Sequence, residues 1–212
     1  MGEAAPASDG AAMVAWKRLA VRVDPFDVLM EVPERPDDVV RARAVAGDAE
    51  RGYWAHLWGS SEVLARHVSS TSLLTPGMRV LEIGAGLGLV SVVAGLRGCE
   101  VVVTDREPPA VEACLRNAAL NGVGDLVRGA VFDWRHQPDP SWRPEVLLAA
   151  DVVYKPNNAA QIASLIASLD CIAFMSEPNR TQSAAVPEAL REAGLRVWTA
   201  VVRGGRVITA QR

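Results

Sequence analysis

Acidic residues stand at the ends of three predicted strands, where carboxylates can bind a polar ligand. They are Asp105, Asp133 and Asp151, after the apolar runs 100–104, 126–131 and 145–150. The carboxyl ends of parallel strands meet at one edge of an open α/β sheet, and ligands bind in the crevice outside that edge. The sequence therefore predicts that these acids line one ligand site.

A glycine-rich turn at residues 79–88, R-V-L-E-I-G-A-G-L-G, is central to the predicted site. Its first half is a short apolar run typical of a buried parallel strand. Its glycines allow left-handed dihedrals and close approach of a ligand, and the helix that follows points free N–H groups into the crevice. These glycines are Gly84, Gly86 and Gly88. Glu82, just before them, favours a ligand with an ammonium or sulfonium group over a phosphate.

The positions of the acids relative to this turn suggest a role for each. Asp105 lies 17 residues after Gly88 (105 − 88), which suits acceptance of both ribose hydroxyls, although a capping or surface aspartate is an alternative. Asp133 is placed to accept from an adenine amino group, and Trp134 either stacks on the base or lies at the rim without a ligand. Asp151 follows the central strand beside the turn, at the topological switch point.

Large aromatic side chains are dense in the segment 52–61, G-Y-W-A-H-L-W-G-S-S. Trp54 and Trp58 either pack one helix face against the core, at spacing i and i+4, or line a pocket whose rings suit a cationic ligand. Ser60 or Ser61 is placed to cap a helix that continues to about residue 69.

Composition and charge argue against several classes of function. The chain has 212 residues, of which 50% are hydrophobic and 22% charged, as expected for one medium-sized globular domain. Its net charge of −3 leaves no general basic surface, so nucleic acid is not favoured as a partner. No apolar run approaches the length of a membrane span, and the three cysteines lack a C-x-x-C spacing. We expect a cytoplasmic protein with reduced thiols, no metal site and no membrane segment.

The order of predicted elements divides the chain into parts. Residues 1–13 are rich in Ala, Gly, Pro and Ser and are expected to form a disordered tail. Residues 14–51 form an N-terminal extension with two β-prone runs joined at Asp24-Pro25, and residues 52–212 form the main domain. In the main domain strands alternate with helices, and the last two strands join at Gly204-Gly205 as an antiparallel hairpin. A dinucleotide-binding fold would instead end on a parallel strand.

From about Trp54 to the C-terminus, the chain resembles class I S-adenosylmethionine-dependent methyltransferases. The motifs that carry the resemblance are Glu82-x-Gly84-x-Gly86-x-Gly88, Asp105 and Asp133-Trp134. The resemblance implies an α/β, Rossmann-like, seven-stranded sheet that is mostly parallel, with a C-terminal antiparallel hairpin, helices on both faces and an N-terminal β-hairpin extension. It also implies S-adenosylmethionine as cofactor and S-adenosylhomocysteine as product.

Two further motifs resemble those of the protein-lysine methyltransferase group. The segment 151–154, D-V-V-Y, matches its D-x-x-Y signature, and the segment 177–180, E-P-N-R, resembles the D-P-x-R turn of relatives that methylate the electron-transfer flavoprotein beta subunit. Two positions depart from the pattern, because Glu177 replaces the usual Asp and Gly59 follows Trp58 where the group commonly has Pro. These departures concern the substrate more than the cofactor.

The resemblance also implies roles for individual residues. Asp151 and Tyr154 are implied as catalytic, the first orienting an acceptor amine and the second walling the pocket. The implied cofactor-binding residues are Trp58, Glu82, Gly84, Gly86, Gly88, Asp105, Asp133, Trp134 and Asp151. The implied substrate-binding residues are Trp54, Tyr154, Glu177, Asn179 and Arg180. An acceptor protein is the implied partner, whereas its identity and the oligomeric state do not follow from the sequence.

Three alternatives remain open from the sequence. A small-molecule methyltransferase would share the cofactor half and differ in its acceptor pocket. A catalytically silent domain would bind the cofactor or a partner as an interaction module. A nicotinamide-dependent oxidoreductase fits less well, because the glycines of the turn miss the G-x-G-x-x-G spacing and no catalytic Tyr-x-x-x-Lys is evident.

Overall fold

A computed structural model describes residues 14–178 and 185–212. The expected disordered tail, 1–13, lies outside the described residues. The strands are β1 (Trp16–Val23), β2 (Phe26–Pro33), β3 (Arg79–Ile83), β4 (Glu100–Asp105), β5 (Val127–Val131), β6 (Val146–Ala150), β7 (Ile172–Glu177), β8 (Arg196–Val202) and β9 (Gly205–Gln211). The α-helices are α1 (Pro36–Val45), α2 (Gly59–Ser70), α3 (Leu89–Leu96), α4 (Pro108–Leu120), α5 (Pro156–Ser168) and α6 (Val186–Glu192), and a 3₁₀-helix spans Ala49–Ala55.

The main sheet has seven strands in the order β5-β4-β3-β6-β7-β9-β8. The first five strands in this order, from β5 to β7, are parallel to one another. Strand β9 pairs antiparallel with both β7 and β8. Strand β3 lies between β4 and β6, so the chain reverses its direction of progress across the sheet at this point. The predicted fold class, with its switch point at the end of β3, is confirmed.

Apolar side chains on the two faces of the sheet form two separate clusters. In β3, Val80 packs on the side of α2, α3 and α4, whereas Leu81 and Ile83 pack on the side of α5 and α6. The alternation follows from the strand period of two, and it explains why a strand covered on both faces is a continuous apolar run. Helices therefore cover both faces, and the polar groups that follow each parallel strand meet at one edge.

The N-terminal β-hairpin forms a separate two-stranded sheet against the first cluster. Strands β1 and β2 pair antiparallel, and the Asp24–Pro25 peptide between them is cis. Their inward-facing residues, such as Val23 and Met30, are fully buried with the side chains of α3 and α4. The predicted hairpin extension is confirmed.

The expected serine cap of helix α2 is wrong. The helix begins at Gly59, one residue before Ser60, and Ser61 uses its hydroxyl to donate to the carbonyl of Trp58 at 2.6 Å instead of accepting a backbone N–H. Trp54 and Trp58 also do not share a helix face, because the chain is extended between the 3₁₀-helix and α2. The carbonyl of Tyr53 accepts both the backbone N–H of His56 and the indole N–H of Trp58, and this holds the break in place.

Among the described residues, no helix combines the length and apolar character needed to cross a bilayer.

Candidate cofactor and acceptor site

A cavity of about 360 Å³ opens at the carboxyl edge of the sheet, beside the end of β3. Segments far apart in the sequence line it, namely the end of the 3₁₀-helix and the chain before α2, the glycine-rich turn, the residues after β4, Trp134, and the residues after β6. A volume of this size lies in the range of small-ligand sites. The switch-point argument thus predicts a ligand site at the edge of the sheet where this cavity lies.

The glycine-rich turn has a backbone that other residues would not adopt. Gly84, Gly86 and Gly88 have φ values of 59°, 56° and 79°. A Cβ at Gly84 would lie 2.8 Å from a methyl of Val152 and 3.1 Å from the ring of Trp134, and a Cβ at Gly88 would lie 2.8 Å from Cys114 Sγ. These contacts are closer than van der Waals packing allows, so glycine is required at Gly84 against residues that line the cavity and at Gly88 against α4.

Asp105 braces the turn from the end of β4. It is buried, and its carboxylate accepts the backbone N–H of Gly86 at 3.0 Å and that of Glu107 at 3.0 Å. Burial raises the pKa of this carboxyl, and the two N–H groups oppose that shift. Asp105 lines the cavity, as the sequence predicts, and its role toward a ribose remains a prediction.

Glu107 is a cavity residue that the sequence reasoning missed. It is buried, and its Oε1 accepts from Arg51 Nε at 2.6 Å, while Oε2 is buried without a hydrogen-bond partner and lies 3.9 Å from Arg43. A buried carboxylate oxygen without a hydrogen bond is costly unless a ligand completes it. Glu107 precedes the prolines that begin α4, and that position at a helix start is the signal that could have found it.

Glu82 lies beneath the turn and does not line the cavity. Its side chain is fully buried and accepts a hydrogen bond from the hydroxyl of Ser91 on α3. Burial raises the pKa of Glu82 to about 8, and the hydrogen bonds from Ser91 oppose that shift. The predicted role of Glu82 toward a cationic cofactor remains untested by this placement.

The buried carboxyl of Glu82 is expected to make the free energy of unfolding depend on pH. Burial raises the folded-state pKa of Glu82 to about 8 from an ordinary value of 4.5, so between these pH values the folded protein holds a proton that the unfolded chain has lost. The free energy of unfolding is therefore expected to fall as pH rises through that window. The slope due to this residue is at most about 1.4 kcal/mol per pH unit.

Urea unfolding of wild type and Glu82→Gln across that pH window measures this slope. The variant should gain stability relative to wild type as pH rises, because it has no proton to lose. Burial also raises the pKa of Glu177 to about 7, but this residue is present in both proteins and cancels in the difference. A difference in unfolding free energy that does not change with pH would contradict the assignment.

Aromatic rings form one wall of the cavity. Tyr53 contacts Tyr154 edge to face at 5.9 Å between ring centroids and Trp58 in the same manner at 6.1 Å, and His56 lies 5.0 Å from Trp58. All four side chains line the cavity together with Trp54. The sequence predicted Trp54, Trp58 and Tyr154 for the site but gave no role to Tyr53 or His56, whose positions depend on the extended break before α2. Burial raises the pKa of Tyr154 to about 12, so its phenol keeps its proton.

Asp151 stands at the switch point with an unusual backbone conformation. It directly follows β6, which pairs with β3, and its φ is 53°. Its backbone N–H donates to the carbonyl of Ser176 at 2.9 Å, and the residue lines the cavity. An aspartate tolerates this left-handed conformation better than most residues, and such positions cluster at functional sites.

The other predicted residues have different surroundings. Trp134 lines the cavity next to Gly84, whereas the carboxylate of Asp133 is bound by Arg135 and is not part of the lining; Arg135 lowers the pKa of that carboxyl. Glu177 is buried at the end of β7, where Arg206 Nη2 lies 3.2 Å from its Oε1, and it is also absent from the lining. The predicted substrate residues Asn179 and Arg180 lie outside the described residues.

The chain is similar in sequence to curated methyltransferases. Protein N-lysine methyltransferase METTL21A of Danio rerio is 36% identical over 108 residues, covering 49% of this chain and 49% of that protein. Histone-arginine methyltransferase METTL23 of Homo sapiens is 29% identical over 119 residues, covering 52% and 60%. The chain thus spans about half the length of these curated relatives.

A solved structure shares the fold at low sequence identity. Magnesium protoporphyrin IX methyltransferase from Synechocystis PCC 6803, solved with bound S-adenosylmethionine, has a TM-score of 0.59, 20% identity, and coverage of 73% of this chain and 80% of that chain.

A family of proteins described as lysine methyltransferases has a sequence model that matches residues 43–178. This range includes the aromatic wall, the glycine-rich turn and Asp151. The chain belongs to the lysine methyltransferase family.

Proposed function

We propose that the protein is an S-adenosylmethionine-dependent methyltransferase that transfers a methyl group to a lysine side chain of another protein. The observation that carries the proposal is the cavity itself, which is lined by the glycine-rich turn, by a wall of aromatic rings that includes Tyr154, and by Asp151. The family membership and the printed name of the METTL21A relative support the reaction and the acceptor.

The charge and shape of the cavity fit the proposed cofactor. The acids that line it are Glu50, Asp105, Glu107 and Asp151, against the single arginine Arg106 among the described lining residues. An acidic cavity with aromatic walls favours a sulfonium cation. The glycine-rich turn, Asp105 and Trp134 would hold the cofactor, as predicted, and we add Glu107, whose unpartnered oxygen suits a ribose hydroxyl. When bound, the cofactor supplies a methyl group that is already activated.

The protein's own residues would then bind and orient the acceptor amine. A lysine amine has an ordinary pKa near 10.4 and must lose its proton before its lone pair can attack. The aromatic wall removes water and so favours the neutral amine. The carboxylate of Asp151 would accept a hydrogen bond from the amine, and Tyr154, which stays a phenol, would close the pocket beside it.

A lysine side chain of the protein itself is bound at the wall of this cavity. Lys155 Nζ lies 2.8 Å from Glu50 Oε2, and Glu50 lines the cavity, while Lys155 directly follows Tyr154. The carboxylate of Glu50 therefore binds a primary ammonium group at the edge of the cavity. We propose that the acceptor lysine first docks on Glu50 and displaces Lys155.

Variants of the two partners should change acceptor binding in opposite directions. Glu50→Gln is expected to raise the KM for the acceptor about fivefold, because the docking charge is lost, and Lys155→Met to lower it about threefold, because an internal competitor is removed. Initial rates at increasing acceptor concentration measure both. Glu62→Gln, which breaks an exposed ion pair with Arg66 on α2 away from the cavity, is the control. Changes of the same sign in both variants would indicate a purely structural pair.

Transfer of a labelled methyl group to the proteins of a cell lysate tests the proposed function. We expect label in a protein band, and amino-acid analysis of that band should show methyl-lysine. Methyl-arginine would instead match the acceptor named for the METTL23 relative, and label only in small molecules would indicate a small-molecule methyltransferase. Binding of S-adenosylhomocysteine without transfer to any acceptor would indicate a silent interaction module.

We also propose domain boundaries and a cellular compartment for the protein. We propose a methyltransferase domain at 52–212 preceded by the extension at 14–51, although the family match already begins at residue 43. We further propose a cytoplasmic site of action, supported by three buried cysteines that are free thiols. The net charge of −3 supports a protein acceptor over nucleic acid.

A further inference from the structure

Two asparagines, one in helix α4 and one at its C-cap, bind the outer edge of strand β2. Asn121 Oδ1 accepts the backbone N–H of Leu29 at 2.9 Å, and its Nδ2 donates to the carbonyl of Leu29 at 2.7 Å. Asn117 Oδ1 accepts the N–H of Glu31 at 2.7 Å, and its Nδ2 donates to the carbonyl of Glu31 at 3.1 Å. Each carboxamide thus gives an edge residue the pair of hydrogen bonds that a neighbouring strand would give.

Asn117 makes one further bond, to the glycine-rich turn. Its Nδ2 donates to the carbonyl of Leu87 at 2.9 Å, and the side chain is fully buried. The corresponding donor of Asn121 is bound instead by the carbonyl of Asn117, within the same helix. One carboxamide therefore joins the N-terminal hairpin to the turn, whereas its neighbour joins the hairpin to the helix alone.

The bond to Leu87 sets the orientation of a peptide group in the turn. A peptide group is planar, so when its carbonyl points toward α4 the N–H of Gly88 points the opposite way. That N–H donates to the carbonyl of Ala85 at 2.9 Å and closes the turn. The turn also rests on α4 through Cys114, whose Sγ donates to the carbonyl of Gly86 at 3.2 Å.

The hairpin also supports the aromatic wall of the cavity, through Trp16. Trp16 of β1 packs against Trp54, which lines the cavity, with 6.3 Å between ring centroids. The guanidinium of Arg116 on α4 lies 4.1 Å from the centroid of the Trp16 ring. The hairpin thus touches the site at the turn through Asn117 and at the aromatic wall through Trp16.

We propose that Asn117 is a positioning residue for cofactor binding, which couples the N-terminal hairpin to the cofactor site. The inference rests on the proposed function, because its readout is the binding of S-adenosylhomocysteine. Asn117 acts through the peptide group it holds and not by contact with the ligand.

The test compares Asn117→Asp with Asn121→Asp. Each substitution keeps the shape of the side chain and removes both N–H donors, so both variants lose their bond to a carbonyl of β2. Only Asn117→Asp also loses the bond to Leu87. We expect the dissociation constant of S-adenosylhomocysteine, measured by calorimetry, to rise about tenfold or more in Asn117→Asp and to stay within about twofold of wild type in Asn121→Asp.

Two further measurements separate positioning from general destabilisation. Hydrogen exchange of the amides at residues 84–88 should accelerate in Asn117→Asp and not in Asn121→Asp. The KM for S-adenosylmethionine should rise in Asn117→Asp while kcat stays within about threefold. If Asn117→Asp does not fold by circular dichroism, Asn117→Ser and Asn121→Ser provide the same comparison without a new charge.

The outcomes distinguish this inference from the proposed function. If wild type does not bind S-adenosylhomocysteine, the proposed function fails. If wild type binds it and the two aspartate variants bind it equally well, the coupling through Asn117 is overturned and the proposed function stands.

Discussion

Asp151→Asn is expected to lower the rate of methyl transfer to protein about a hundredfold or more, while the affinity for S-adenosylhomocysteine changes less than about fivefold. Asparagine keeps the size of the side chain and tolerates the left-handed backbone at this position, where φ is 53°. What it removes is the charge that would orient the acceptor amine. Losses of this size are usual when a group acting on the reacting atoms is removed. Single-turnover transfer and calorimetry measure the two quantities.

Asp151→Gly is the matched control for the backbone. Glycine adopts the same dihedrals without strain, so this variant removes the carboxylate and leaves the turn after β6 intact. We expect it to be as inactive as Asp151→Asn. Substantial transfer by the glycine variant would show that the carboxylate is dispensable and would overturn the D-x-x-Y interpretation.

Asp105→Ala is expected to weaken S-adenosylhomocysteine binding about a hundredfold. The sequence alone predicts a loss of at least about tenfold, from missing charge-assisted hydrogen bonds to a ribose. The structure adds a second cost, because the same carboxylate accepts the N–H groups of Gly86 and Glu107 and so shapes the turn. Two backbone donors would then be left unsatisfied inside the protein.

The control for this variant is Asp139→Ala. The carboxylate of Asp139 also accepts a nearby backbone N–H, that of Ser141 at 2.8 Å, but it is exposed and does not line the cavity. Calorimetry should show unchanged affinity in this variant. Equal affinity of wild type and Asp105→Ala for S-adenosylhomocysteine would contradict the cofactor assignment. The loss of affinity in Glu107→Gln, measured in the same way, would give the contribution of the proposed contact between Glu107 and the ribose.

The parts of the fold that follow from local patterns could be predicted from the sequence. Buried parallel strands are apolar runs, so β3 and β6 were visible with errors of about one residue, and the strand order then placed Asp151 beside the glycine-rich turn. The same reasoning placed Asp105 and Asp151 at the cavity. It was wrong for Asp133, which also follows a strand but binds Arg135 and does not line the cavity.

Features that depend on distant partners could not be predicted in this way. The partners of Asn117 and Asn121 on β2 lie 86 and 92 residues away along the chain, so no local sequence pattern predicts these contacts. The prediction of a serine cap was wrong because the 3₁₀-helix ends where the carbonyl of Tyr53 accepts hydrogen bonds from His56 and Trp58. The next helix then begins at Gly59, before either serine. The burial of Glu82 against Ser91 depends on how α3 packs over β3, which the local sequence does not reveal.

The scatter of the cavity lining along the chain has a consequence for folding. Its walls include segments near residues 50–58, 84–89, 105–107 and 150–154. The last three follow β3, β4 and β6, so they meet only when β3 has paired with both β4 and β6. A peptide that carries the glycine motif alone therefore has no site, since its binding surface is made by chain closure over long loops. A nascent chain can therefore bind a ligand at this site only after β6, the strand that leads to Asp151, has been synthesised and inserted beside β3.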